Sequence, residues 1–117
     1  MTKQETEIQK EIMLALSQYG IVIRQQSGNF FTEYGSRIKV GFTGLSDLQF
    51  ISDDWNLIVF IEVKTLKGKA RKEQENFINF INSKGSKHLR AGIARSVKDA
   101  LDLIEVWYES WNNKFIW

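Results

Sequence analysis

Residues 57–64 read Leu-Ile-Val-Phe-Ile-Glu-Val-Lys, and this stretch decides the architecture. Side chains alternate between the two faces of a strand, so five apolar residues in unbroken succession leave neither face polar. A strand of that kind belongs inside a sheet covered on both sides. Its end breaks the pattern: Glu62 and Lys64 are two apart, project from the same face and carry opposite charges.

Working outward toward the N-terminus, Ser52-Asp53-Asp54 is a turn-forming cluster, and the run Asp47 to Ile51 before it reads as a strand. Arg37 to Val40 is a further short extended run, separated from it by a turn region around Gly41-Phe42-Thr43-Gly44. Gln25 to Ser36 is polar and aromatic with glycines at 28 and 35, which suits a long loop or a loose hairpin. Ile21 to Arg24 is a short β-branched strand. From Thr2 to Tyr19, Ile8, Ile12, Leu16 and Tyr19 recur at steps of three or four, the period of a helix with one buried stripe, with Gly20 as its stop.

Toward the C-terminus a basic connector leads into a helix over Arg71 to Lys84. Phe77, Ile78 and Ile81 lie on one face of it, and Gly85 closes it. Leu89 to Ala94 is another strand, Ser96 suits the N-cap of a final helix through Trp107, and the aromatic tail to Trp117 has no assignment. The order is helix, three strands, helix, strand, helix. Short turns favour an antiparallel meander for the first three strands, and the intervening helix makes the last strand a parallel, right-handed crossover partner. The fold class is α/β, a mixed sheet with helices on both sides.

The chain has 117 residues, 43% of them hydrophobic, with eight Phe, four Trp and three Tyr. That supports one packed domain over 1–117. Cysteine is absent and histidine occurs once, which removes disulfides, thiolate zinc sites, cysteine nucleophiles and histidine-rich metal centres. His88 reads as an exposed loop residue. The apolar runs fall short of the roughly 18 residues of a membrane span, so a soluble, cytoplasmic protein is expected. A formal charge of +2 permits a polyanionic partner without demanding one.

The chemistry concentrates around the end of the 57–64 strand. If the strand opened by Asp47 forms a hairpin with it, the Asp47 and Glu62 carboxylates approach each other, and two close carboxylates repel unless a cation lies between them. Mg2+, with Mn2+ as a possible substitute, suits hard oxygen ligands and keeps waters, one of which could be activated as a nucleophile. The Val63 backbone carbonyl is a natural additional ligand, and Lys64 could hold the attacking water or neutralise charge growing on a phosphate. The connector from Lys64 to Lys72 holds five cations and no acid, so a phosphate backbone is drawn to Lys67, Lys69, Arg71 and Lys72. Gln74 shares the inward face of its helix with Phe77 and Ile78 and could hydrogen-bond a water or the metal shell.

The runs Gly44-Leu45-Ser46-Asp47 and Ile61-Glu62-Val63-Lys64, followed by Gln74 and Phe77, resemble the VRR-NUC branch of the PD-(D/E)XK nuclease superfamily. Glu5-Thr6-Glu7-Ile8-Gln9 and Arg24-Gln25-Gln26-Ser27-Gly28 are similar to further family features, so the resemblance covers roughly residues 5 to 100. Ser46 stands where the superfamily name expects Pro. The resemblance implies a restriction-endonuclease-like fold with an αβββαβ core and a divalent metal. It implies metal-ligand roles for Asp47 and Glu62, a catalytic role for Lys64, and supporting polar roles for Glu5 and Gln74. Small stand-alone members resemble Holliday-junction resolvases that act as homodimers on branched DNA.

Other readings of these residues stay open. Glu62-Val63-Lys64 also fits an ion-paired strand end, and Thr2 to Glu5 also fits a helix capping box. Arg24 could touch phosphate or cap its strand. Phe30, Phe31 and Tyr34 could wedge into a DNA branch or pack on the body, and Trp107, Trp111, Phe115 and Trp117 could cover the core or form a two-fold interface. A nuclease for flaps, forks or duplex, and a non-catalytic DNA-binding module, are the alternatives to a junction resolvase.

Overall fold

The structure, a computed structural model, describes residues 4–25, 28–31, 33–35, 37–40, 46–54 and 56–104, with 28–31 and 37–40 described as strands only. Helix α1 spans Glu5–Leu16 and buries Ile8, Ile12 and Leu16 at 4%, 0% and 0% exposure, the stripe that the four-residue spacing predicts. It is shorter than the expected Thr2 to Tyr19. Gln4 is the N-cap and its side chain makes no capping bond; Thr2, the other end of the capping box that the sequence allows, lies outside the described residues.

Gly20 is not a helix stop either. It opens strand β1, Gly20–Arg24, where a Cβ would stand 2.1 Å from the Ile51 carbonyl oxygen. The absence of a side chain is what lets the two strands approach. Gly20→Ala is therefore expected to cost about 1–3 kcal/mol through forced strand separation. An unchanged midpoint in urea denaturation would show that the strand yields freely.

The main sheet contains β1, β4 (Leu48–Ser52), β5 (Ile58–Val63) and β6 (Leu89–Ala94), in the order β1-β4-β5-β6. β1 with β4 and β4 with β5 are antiparallel, whereas β5 with β6 is parallel. The 57–64 run thus forms an internal strand. The expected meander is present in the pairing but not in the connections. β1 and β4 are neighbours although a separate two-stranded sheet, β2 (Gly28–Phe31) with β3 (Arg37–Val40), lies between them in sequence. Of the two readings of 25–36, the pairing of 28–31 with 37–40 matches the loose hairpin.

Helix α2 spans Lys72–Ser83, and residues 97–104 form a third helix, α3. The register assigns the layers. Val59, Ile61 and Val63 of β5 share a core with Leu48 and Phe50 of β4, with Ile8, Ile12 and Leu16 of α1, and with Ala100 and Ile104 of α3. The intervening residues Phe60 and Glu62 face α2, where the Phe60 and Phe77 rings meet edge to face at 5.2 Å. Each buried Val, Leu, Ile or Phe side chain contributes about 1.5–3 kcal/mol on burial.

Three local signals act as the sequence predicts. Gly85 takes a positive φ of 64° after α2, and Ser96 Oγ accepts the Asp99 N–H at 3.2 Å at the start of α3. In the β4 to β5 turn, Ser52 Oγ donates to Asp54 at 2.6 Å and accepts the Leu57 N–H at 3.0 Å. Asn82 of α2 pairs both backbone groups of Ala91 at 2.9 Å, on the outer edge of β6. Trp107, Trp111, Phe115, Trp117 and the side chains of Phe30 and Phe31 lie outside the described residues, while Tyr34 is 88% exposed. Among the described residues no helix is long and apolar enough to cross a membrane.

Candidate active site

The site is assembled by register. Cα partners Leu48 and Ile61 end the β4–β5 ladder, and one step further Asp47 stands across from Glu62. The Val63 N–H donates to Asp47 Oδ2 at 2.9 Å, which ties the carboxylate to the neighbouring strand. On the other side of Asp47, the Gln25 N–H donates to the Asp47 carbonyl at 2.8 Å. Strand geometry therefore sets Gln25, Asp47 and Glu62 in a row on the face that carries α2.

Glu62 is 2% exposed. Its Oε1 accepts a hydrogen bond from Gln74 Nε2 at 2.7 Å and lies 3.6 Å from Lys64 Nζ. Its Oε2 is buried with no partner. An ionised carboxylate in that position is poorly stabilised. Burial, reinforced by the charge of Asp47, by the hydrogen bond that a protonated Glu62 can donate to Asp47, and by the charge of Glu5, raises the Glu62 pKa from 4.5 to about 8, with Lys64 pulling the other way. Near neutrality this pair holds a proton unless a cation takes its place.

Gln74 arrives from α2 because its position on the inward stripe buries it to 5% exposure. Its Oε1 accepts the Arg71 N–H at 2.8 Å. The amide is therefore fixed in orientation: one end caps the helix and the other must donate to Glu62. Arg71 has no side-chain acceptor, so the reciprocal half of a capping box is not available. The sequence placed Gln74 inward toward a water or metal shell, and the structure brings it to the carboxylate itself.

The remaining predicted residues fall into two groups. Glu5, exposed in the first turn of α1, influences Glu62 by its charge. Among the described residues, though, no three His, Asp or Glu side chains converge as a metal-binding group. Lys67, Lys69, Arg71 and Lys72 are all exposed in the connector and at the start of α2. Arg71 and Lys72 stand at the positive end of the helix macrodipole, where cations are disfavoured unless an anion is nearby. Arg24 is Cα partner to Leu48, which places it on the α1 face of the sheet, opposite the face of Glu62.

Sequence reasoning passed over Arg95. Its guanidinium Nη1 donates to the carbonyls of Thr65 at 2.6 Å, Leu66 at 3.4 Å and Gly68. One side chain from the end of β6 thereby shapes the connector that presents the cations. The only signal in the sequence is an Arg just before the α3 N-cap, where a cation has no local reason to be. Gln25 and Gln49 were also passed over as a pair: Gln25 Nε2 donates to Gln49 Oε1 at 2.6 Å, and Gln25 Oε1 is buried without a partner.

Two carboxylates, an orphaned buried oxygen and a raised pKa suit a hard divalent cation. Asp47 and Glu62 are the side chains that fit it. No protein-family model matches the chain, and no curated protein sequence matches it. Among solved structures it is similar to one described as "VRR_NUC domain", with a TM-score of 0.63 and 24% identity over 89% of this chain and 97% of that one. That similarity, with three helices around a four-stranded mixed sheet, establishes a restriction-endonuclease-like fold.

Proposed function

We propose that this chain is a metal-dependent, structure-specific DNA endonuclease that hydrolyses phosphodiester bonds in branched DNA as a homodimer, with a four-way junction as its preferred substrate. The observation that carries the reading is the half-buried Asp47 beside the buried Glu62, with Lys64 3.6 Å from Glu62 and one Glu62 carboxylate oxygen left without a donor. An ordinary ion-paired strand end has no reason to bury one acid against another. Similarity of fold to a VRR_NUC domain adds to this reading.

Asp47 and Glu62, with the Val63 carbonyl, would hold Mg2+ or Mn2+, which when bound supplies positive charge at the phosphate and lowers the pKa of a coordinated water. The protein's own groups do the positioning. Gln74 keeps the Glu62 carboxylate aimed, and the Val63 N–H keeps Asp47 in place. The Lys64 ammonium offsets negative charge growing on the phosphoryl oxygens as water adds to phosphorus and one P–O ester bond breaks. Lys67, Lys69, Arg71 and Lys72 attract the DNA backbone, giving an affinity that falls with salt. Two sites related by a two-fold axis would cut two strands symmetrically.

The reading is tested with labelled four-way junction, flap and linear duplex DNA, each with and without magnesium. Symmetric cuts in the junction that require magnesium are expected, at a rate well above that on duplex. Cutting confined to flaps or duplex would overturn the junction preference, and binding without cutting on all three substrates would leave a DNA-binding module.

A further inference from the structure

We infer that Gln25, oriented by Gln49, is a third side-chain oxygen ligand of the cation held by Asp47, Glu62 and the Val63 carbonyl. This rests on reading the carboxylate pair as a cation site. Gln25, Asp47 and Glu62 occupy consecutive places across β1, β4 and β5 on one face of the sheet, as the ladders and the Gln25 N–H bond to Asp47 require. Two of the buried oxygens without a partner are Gln25 Oε1 and Glu62 Oε2, and they belong to the two residues that flank Asp47.

An amide oxygen buried without a hydrogen bond costs on the order of 1–3 kcal/mol. Packing alone gives no return for that cost. The Gln25 amide is held by its Nε2 bond to Gln49 Oε1 at 2.6 Å, which leaves its carbonyl oxygen directed away from Gln49 and available to a cation. The donor count points the same way. No third His, Asp or Glu among the described residues converges on the pair, so further oxygens for a hard cation would come from neutral protein groups, water or the substrate phosphate. A neutral ligand also leaves the cation more of its charge to act on a phosphate.

The test is titration of Mn2+ into the metal-free full chain, followed by calorimetry and by electron paramagnetic resonance of the free ion, with circular dichroism as the check on folding. Gln25→Leu keeps the bulk and removes the oxygen, and is expected to weaken Mn2+ binding by about tenfold; Gln49→Leu, which frees the amide, weakens it less. Gln25→Glu adds a charged oxygen at the same reach and is expected to tighten binding several-fold; the loss in Gln25→Leu, which changes no charge, is what a purely structural glutamine would not produce.

Wild-type affinity in both Gln25→Leu and Gln25→Glu, with binding lost in Glu62→Gln, would overturn the role of Gln25 and leave the carboxylate site standing. If the wild-type chain binds Mn2+ no better than Glu62→Gln, the cation site and the Gln25 role fall together. Should Gln25→Leu fail to fold, Gln25→Met, which keeps the length and neutrality of the side chain and lacks the carbonyl oxygen, takes its place: weakened binding supports the role and wild-type affinity overturns it.

Discussion

Under saturating junction DNA and magnesium, Glu62→Gln is expected to cut roughly 10²–10³-fold more slowly than the wild-type chain, the scale on which loss of one preorganised charge acts in a transition state. Glutamine is the informative replacement. Its carbonyl can still accept from Gln74 Nε2, so the 2.7 Å bond that links α2 to β5 survives while the negative charge is lost. DNA affinity measured without magnesium is expected to stay the same or rise, because a carboxylate near the basic connector repels phosphate. Single-turnover cleavage and fluorescence anisotropy on the same protein separate the two effects. Full cutting activity in Glu62→Gln would remove Glu62 from the chemistry, and a parallel loss of binding would indicate a collapsed fold.

The second large effect is on stability, in the absence of any cation. Glu62 has a folded-state pKa of about 8 against 4.5 for the free group. Below about pH 4.5 both folded and unfolded chains carry its proton. Between about 4.5 and 8 the folded chain keeps the proton and the unfolded chain releases it, so stability falls as pH rises, by up to ~1.4 kcal/mol per pH unit from this group. Above about 8 the folded chain must bury the charge.

With chelator present, urea denaturation at about pH 5 and about pH 8.5 is therefore expected to show the wild-type chain losing several kcal/mol relative to Glu62→Gln, whose amide does not titrate. Magnesium at the higher pH is expected to restore part of the difference in the wild-type chain only, since a ligand of the folded state stabilises by mass action. A wild-type to Glu62→Gln difference that is the same at both pH values would contradict the raised pKa. The same coupling makes cation affinity climb with pH up to about 8, as the proton that competes for Glu62 is released.

Much of the core was legible because strand and helix periods are local properties. The run at 57–64 could be read as an internal strand from its composition, and Glu62 with Lys64 could be placed on one face by their spacing of two. Gln74 could be placed inward by its spacing from Phe77 and Ile78. Helix ends were less legible. Gly20 looked like a stop for α1 because glycine often is one, yet here its missing side chain serves the approach of β1 to β4 at Ile51.

What the sequence determined by itself was the α/β alternation, the layering of apolar faces and the identity of the acids and cations that share the end of β5. Only the tertiary structure decided which distant residues meet. Periodicity says which face a side chain occupies and nothing about the strand beside it, so the β1 to β4 pairing across the β2–β3 arm had no local signature. The Gln25 and Gln49 amide pair follows from that pairing, the Arg95 brace under the connector from the β5 to β6 pairing, and the buried oxygen of Glu62 from desolvation, all of which exist only once the chain has closed on itself.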